Sequence, residues 1–149
     1  MTILTHSAAE TEAVGARLAD AIRNSGARHA FVALFGEMGV GKTAFVRGFA
    51  TALGCRNVKS PTYTLVNEYR TDSLPLFHFD MYRVESEDDL YSIGFDDYLV
   101  REGICLTEWS ERIEGEIPET AVRVRIMRTD NENDRLLTVE GAFDADLSL

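Results

Sequence analysis

The chain has 149 residues, 45% of them hydrophobic and 27% charged, ordinary values for one globular domain large enough to bury a core. It carries 25 acidic against 15 basic residues, a net charge of −10, and lysine occurs only at Lys42 and Lys59. This balance argues against a protein that grips RNA or DNA unaided, because phosphate neutralisation asks for a basic face, whereas an acidic surface suits solubility or docking onto a more basic protein.

In chain order, Met1 to His6 lacks a basic n-region and a long apolar run, so no secretory leader is expected. No later stretch approaches the length of a membrane span, and a cytoplasmic location is the expectation. Ile3-Leu4 reads as a short strand. Ser7-Ala8-Ala9-Glu10 reads as a capping box opening a helix whose apolar stripe is Val14, Leu18 and Ile22, closed by Ser25-Gly26. Ala30 to Phe35 is an unbroken apolar run of buried-strand length.

Gly36-Glu37-Met38-Gly39-Val40-Gly41-Lys42-Thr43 follows at once and fits G-x-x-x-x-G-K-[ST], a phosphate-binding loop. Gly36 and Gly41 permit backbone angles and a close approach that a Cβ would block. The backbone from Glu37 through Met38, Gly39, Val40, Gly41, Lys42, Thr43 and Ala44 can then turn its N–H groups toward phosphate oxygens. Lys42 can reach the β- and γ-phosphates of a nucleotide, and Thr43 can put its hydroxyl on Mg²⁺. Phe45, Phe49, Ala52 and Leu53 continue at helical spacing to Gly54, and the helix turns its positive end to the same anion. Strand, glycine loop and helix together make this the strongest signal in the chain.

Thr64 to Arg70 and Leu76 to Tyr82 read as a hairpin around Thr71–Pro75. Ser86 to Leu90 opens a short helix with an acidic first turn. Ile104 to Thr107 is another short strand, and Ala121 to Met127 with Arg135 to Val139 reads as a last hairpin. Cys55 and Cys105 read as reduced core thiols rather than a disulfide. The expected fold is a single α/β domain over residues 1–149, P-loop NTPase-like, with a mixed sheet between helices on both faces.

Hydrolysis needs a further acid near Mg²⁺, usually at the C-terminal end of a neighbouring strand. Asp80 follows Leu76-Phe77-His78-Phe79, and Glu108 follows Ile104-Cys105-Leu106-Thr107. Either can be a metal ligand or a water-positioning carboxylate, and either can simply mark a strand exit. Ser60-Pro61-Thr62-Tyr63-Thr64 reads as a hydroxyl-rich switch segment or as an ordinary loop into a strand. Trp109 reads equally as core.

Four blocks together resemble one family. They are Gly36 to Thr43, Val58 to Val66, Phe77-His78-Phe79-Asp80-Met81-Tyr82-Arg83, and Ile104-Cys105-Leu106-Thr107-Glu108-Trp109. Their order and spacing from about residue 30 to 113 are similar to the TsaE proteins, P-loop ATPases of bacterial threonylcarbamoyladenosine (t6A) tRNA modification. The resemblance implies that Thr43 and Glu108 bind Mg²⁺, that Asp80 and Lys42 serve hydrolysis, and that Ser60 to Thr64 act as a switch, with Trp109 on the partner side. It also implies an ATPase weak alone that works with the TsaB–TsaD pair, so that tRNA is met only indirectly. Val40 and Ala44 depart from the small or hydroxyl residues expected there, at positions where phosphate binding asks nothing of the side chain. A small-molecule kinase is the other enzyme reading, against which no arginine-rich lid is visible. A nucleotide-gated binding module needs only ATP occupancy. A GTPase is disfavoured, because no Asn-Lys-x-Asp motif occurs.

Overall fold

A computed structural model describes residues 1–59, 61, 65–141 and 147. Seven strands form one sheet: β1 (Thr2–Thr5), β2 (His29–Phe35), β3 (Val66–Tyr69), β4 (Leu76–Asp80), β5 (Gly103–Glu108), β6 (Val122–Arg128) and β7 (Arg135–Glu140). Their order across the sheet is β1-β7-β6-β2-β5-β4-β3. The middle of the sheet, β6-β2-β5-β4, is parallel, while β3–β4, β6–β7 and β1–β7 pair antiparallel. The expected mixed sheet is therefore present, with hairpins confined to its two sides.

The sequence of β2 explains its central place. Val32 and Leu34 enter one core, while Phe31, Ala33 and Phe35 enter the other, so the strand is apolar on both faces. On the first face lie α1 (Ala8–Asn24) and α2 (Lys42–Ala52), which contribute Val14, Leu18, Ile22, Phe45 and Phe49. The second face is covered by α3 (Glu87–Ser92), α4 (Phe95–Val100) and a 3₁₀ turn at Ser110–Glu116, which supply Leu90, Phe95 and Ile113. This is the expected three-layer arrangement. The hairpin of β3 and β4 ends earlier than its apolar run, with Met81 and Tyr82 beyond the strand.

Two glycines let α1 and α2 approach each other closely. A methyl group on Gly48 would meet the backbone of Glu12, and one on Gly15 would meet the carbonyl of Phe45. Cys55 and Cys105 are both free and buried, as expected of core thiols. Burial pushes the Cys105 thiol up to about 12. The start of α1 differs in detail from a capping box. Ser7 Oγ accepts from the Glu10 N–H at 3.2 Å, but the Glu10 carboxylate accepts from the N–H of His6 at 2.5 Å rather than from that of Ser7. The return contact thus falls one residue earlier than the pattern predicts.

Candidate functional site

The loop between β2 and α2 lies at the C-terminal edge of the parallel strands, where open α/β sheets collect ligands. Gly36, Gly39 and Gly41 have φ of 150°, 74° and 116°, a backbone region that favours glycine. A Cβ on Gly36 would also sit 2.8 Å from both the Ile126 carbonyl oxygen and Val40 Cγ1. The first backbone N–H to find a helical acceptor is that of Phe45, which donates to the Gly41 oxygen at 3.1 Å. The amides of Lys42, Thr43 and Ala44 are therefore the unpaired donors of a helix start, directed along the dipole of an 11-residue helix.

Three side chains from outside the loop hold its backbone. Arg135 Nε donates to the Val40 oxygen at 2.7 Å, Arg128 to the Met38 oxygen at 3.3 Å, and the Gly36 N–H donates to Glu111 Oε2 at 2.9 Å. Arg135 also donates to the oxygens of Glu132 and Asp134, which ties the loop to the β6–β7 turn. None of these anchors carries a motif in the sequence.

Lys42 is buried and folded back onto the loop. Its Nζ donates to the Gly36 oxygen at 2.7 Å and lies 3.7 Å from the centroid of the Trp109 ring. Burial pushes its pKa below the usual lysine value, while the carboxylates of Glu111, Glu108 and Asp80 pull it back up. Trp109 itself sits in the left-handed region at φ 57°, which turns the chain sharply between β5 and the 3₁₀ segment. The indole also contacts Tyr82, with ring centroids 4.9 Å apart.

The sheet register brings the two candidate acids together. Asp80 and Glu108 are direct neighbours on parallel β4 and β5, on the sheet face that carries α2. Both line a cavity of about 420 Å³ with Gly39, Gly41, Lys42, Thr43, Ala44 and Trp109, and Ala8 and Arg47 lie on its far side. Asp80 Oδ1 accepts from the Tyr82 N–H at 3.1 Å. Glu108 is buried, and its Oε2 lies 2.6 Å from Nε2 of buried His78. An ionised carboxylate only accepts, so the proton of this bond sits on Nε2.

The residues named from sequence thus largely converge. Met38, Gly39, Gly41, Lys42, Thr43 and Ala44 line the cavity with Asp80, Glu108 and Trp109, whereas Glu37 and Val40 border a second cavity behind the loop with Glu111 and Arg128. Of the proposed switch, Pro61 is buried, and Ser60, Thr62, Tyr63 and Thr64 lie outside the described residues. Among the described residues no three His, Cys, Asp or Glu side chains cluster to hold a metal by themselves. What exists is an exposed hydroxyl at Thr43 and carboxylates at Asp80 and Glu108 on one cavity. That sparse oxygen set fits Mg²⁺, which keeps most of its shell as water and phosphate.

Comparison with known proteins agrees with this geometry. The family model described as "Threonylcarbamoyl adenosine biosynthesis protein TsaE" matches residues 5–137. The tRNA threonylcarbamoyladenosine biosynthesis protein TsaE of Bacillus subtilis is 42% identical over 110 residues, 72% of this chain and 68% of its own length. The protein of that name from Haemophilus influenzae is 45% identical over 96 residues, 64% of this chain and 61% of its own length. The one from Treponema pallidum is 38% identical over 109 residues, 72% of this chain and 79% of its own length. Among solved structures, the crystal structure of Bacillus subtilis YdiB superposes with a TM-score of 0.75 at 31% identity, covering 93% of this chain and 83% of that one.

Proposed function

The chain belongs to the TsaE family of tRNA threonylcarbamoyladenosine biosynthesis, and on that premise we propose that it is a Mg²⁺-dependent ATPase serving that modification through the TsaB–TsaD complex. The observation that carries the reading is the shared cavity. A phosphate-type loop, its lysine and two carboxylates from adjacent strands meet at one sheet edge.

In this reading the Lys42–Ala44 amides and the Lys42 ammonium hold the β- and γ-phosphates of ATP. Thr43 and Glu108 would hold Mg²⁺, which when bound neutralises charge building on the phosphate oxygens. Asp80 orients the water that attacks the γ-phosphorus, so that the bond to the β-bridging oxygen breaks and ADP leaves. Lys42 must let go of the Gly36 oxygen to reach the phosphates.

The charge distribution supports an indirect relation to tRNA. Arg23, Arg28, Arg47, Arg101 and Arg123 are each paired with an acid, and Arg128 and Arg135 are turned onto loop carbonyls. With these seven arginines engaged and 25 acidic against 15 basic residues, the net charge of −10 opposes a polyanion over the surface as a whole. The nucleic-acid contacts therefore fall to the partner proteins. Among the described residues, no helix is long and apolar enough to cross a membrane.

A pull-down of the tagged protein with purified TsaB–TsaD, with and without ATP and Mg²⁺, tests this reading. Retention that requires ATP is expected. Equal retention without nucleotide, or tight salt-sensitive binding of tRNA by the chain alone, would contradict it.

A further inference from the structure

His78 stands out against its surroundings. It lies in the middle of β4, between Phe77 and Phe79, and is only 1% exposed. On the same sheet face, Leu76 on its own strand and Ile104 and Leu106 on β5 are apolar core, while Asn67 opposite it on β3 and Asp80 two residues along are polar. An imidazole is a poor choice for filling such a place, because a buried polar atom without a partner carries a desolvation cost. That cost is visible here. Nδ1 of His78 is buried and has no hydrogen-bond partner among the described residues. The ring's polarity is thus turned to one use, the 2.6 Å bond from Nε2 to Glu108 Oε2.

We propose that His78 is a positioning residue for the metal site: its Nε2–H fixes one oxygen of Glu108 so that the other is presented to Mg²⁺. The inference rests on the Mg·ATP reading above. Glu108 is the last residue of β5, immediately before the left-handed turn at Trp109. A carboxylate at a strand end has free rotamers unless something holds it. His78 reaches it diagonally, since the register places His78 opposite Leu106 and Asp80 opposite Glu108. The bond ties down Oε2 from below the sheet edge, leaving Oε1 as the oxygen unclaimed among the described residues. Asp80, which is less buried and accepts from a backbone N–H, has no such support from a side chain among the described residues. The asymmetry assigns Glu108 the fixed metal-holding role and leaves Asp80 free to follow the attacking water. Partners of this kind typically change metal affinity about 10- to 100-fold when removed.

The test is titration of Mn²⁺, read by its electron paramagnetic resonance signal, into the ATP-bound protein, with ATP affinity measured separately in chelator. Relative to wild type, His78→Leu should weaken Mn²⁺ binding about 10- to 100-fold while leaving metal-free ATP affinity unchanged. His78→Gln, whose amide can still donate, should recover most of the loss. In a Glu108→Gln background, His78→Leu should cost nothing further, because the two act through one bond. Should His78→Leu not fold, His78→Asn carries the same expectation, since its amide is too short to reach Oε2. Wild-type Mn²⁺ affinity in either variant, or an undiminished loss in the Glu108→Gln background, overturns the inference. A wild-type protein with no ATP-dependent Mn²⁺ site would instead remove the Mg·ATP reading, and the inference with it.

Discussion

Replacing Lys42 by methionine separates what this side chain does for the fold from what it does for ATP. In the folded chain its ammonium donates to the Gly36 oxygen at 2.7 Å and sits 3.7 Å over the Trp109 ring. Losing the charged hydrogen bond costs about 1.5–3 kcal/mol, and losing the cation–π contact about 0.5–2 kcal/mol. Against these stands the relief of a buried charge, which the lowered pKa of Lys42 shows to be penalised. The methionine also retains the packing of the aliphatic stem. The contributions oppose one another, so folding stability should change by less than the roughly 2–5 kcal/mol that the lost contacts alone would cost. ATP affinity should fall much further, because charge-assisted bonds to phosphate worth about 1.5–3 kcal/mol vanish, a loss of roughly 10- to 150-fold. A pH arm sharpens the comparison. The folded pKa lies below the unfolded value of 10.5, so the penalty is complete below the folded pKa and relieved as pH climbs toward the unfolded one. Wild type should therefore gain stability relative to Lys42→Met as the solution is made alkaline. Calorimetric titration with Mg·ATP and thermal melts decide the matter. Unchanged affinity would refute the phosphate role, and a melt lowered by tens of degrees would show that the side chain is structural.

Three further outcomes follow from named contacts. Asp80→Asn should retain ATP and Mn²⁺ but lose turnover, whereas Glu108→Ala should lose the metal dependence, and single-turnover hydrolysis with metal titration distinguishes this from the exchanged assignment. Gly48→Ala should lower Tm by about 4–8 °C, because driving a methyl into the Glu12 backbone costs about 3 kcal/mol and alanine's better helix propensity returns only about 1; a melt at or above wild type would mean that α1 and α2 separate freely. His6 has its pKa raised by its hydrogen bond to Asp134, 2.9 Å away. Its stabilisation should be present below pH 6.5 and fade as pH rises through the higher folded value, so the Tm difference between wild type and His6→Gln should vanish in alkaline solution.

The parts of the site legible in the sequence are those whose requirements are local. A glycine with positive φ, a lysine at the start of a helix and an acid at the end of an apolar run each announce themselves within a few residues, and the parallel register then gathers them at one edge. Asp80 and Glu108 were separable as candidates for this reason, but their adjacency appears only in the pairing of β4 with β5. His78 inside an apolar strand reads as core until Glu108, 30 residues away, is found beside it. The alternation of His78 with Asp80 on one strand face was the available hint. Arg128, Arg135 and Glu111 hold loop carbonyls and an amide across the fold, contacts that no motif encodes. The missed helix α4 spans six residues after a left-handed Gly94, and the segment after Trp109 is a 3₁₀ turn. Both are too short or too tightly wound to show an α-helical apolar stripe.

Hydrolysis of ATP with Mg²⁺ is proposed for the cavity shared by the glycine loop, Asp80 and Glu108. Phosphate release from ATP by the purified protein together with TsaB–TsaD tests it most directly, in Mg²⁺ and in chelator, for wild type and Asp80→Asn. Release should need Mg²⁺ and collapse in Asp80→Asn although ATP stays bound. Release that persists in chelator, or that proceeds at the wild-type rate in Asp80→Asn, would contradict it.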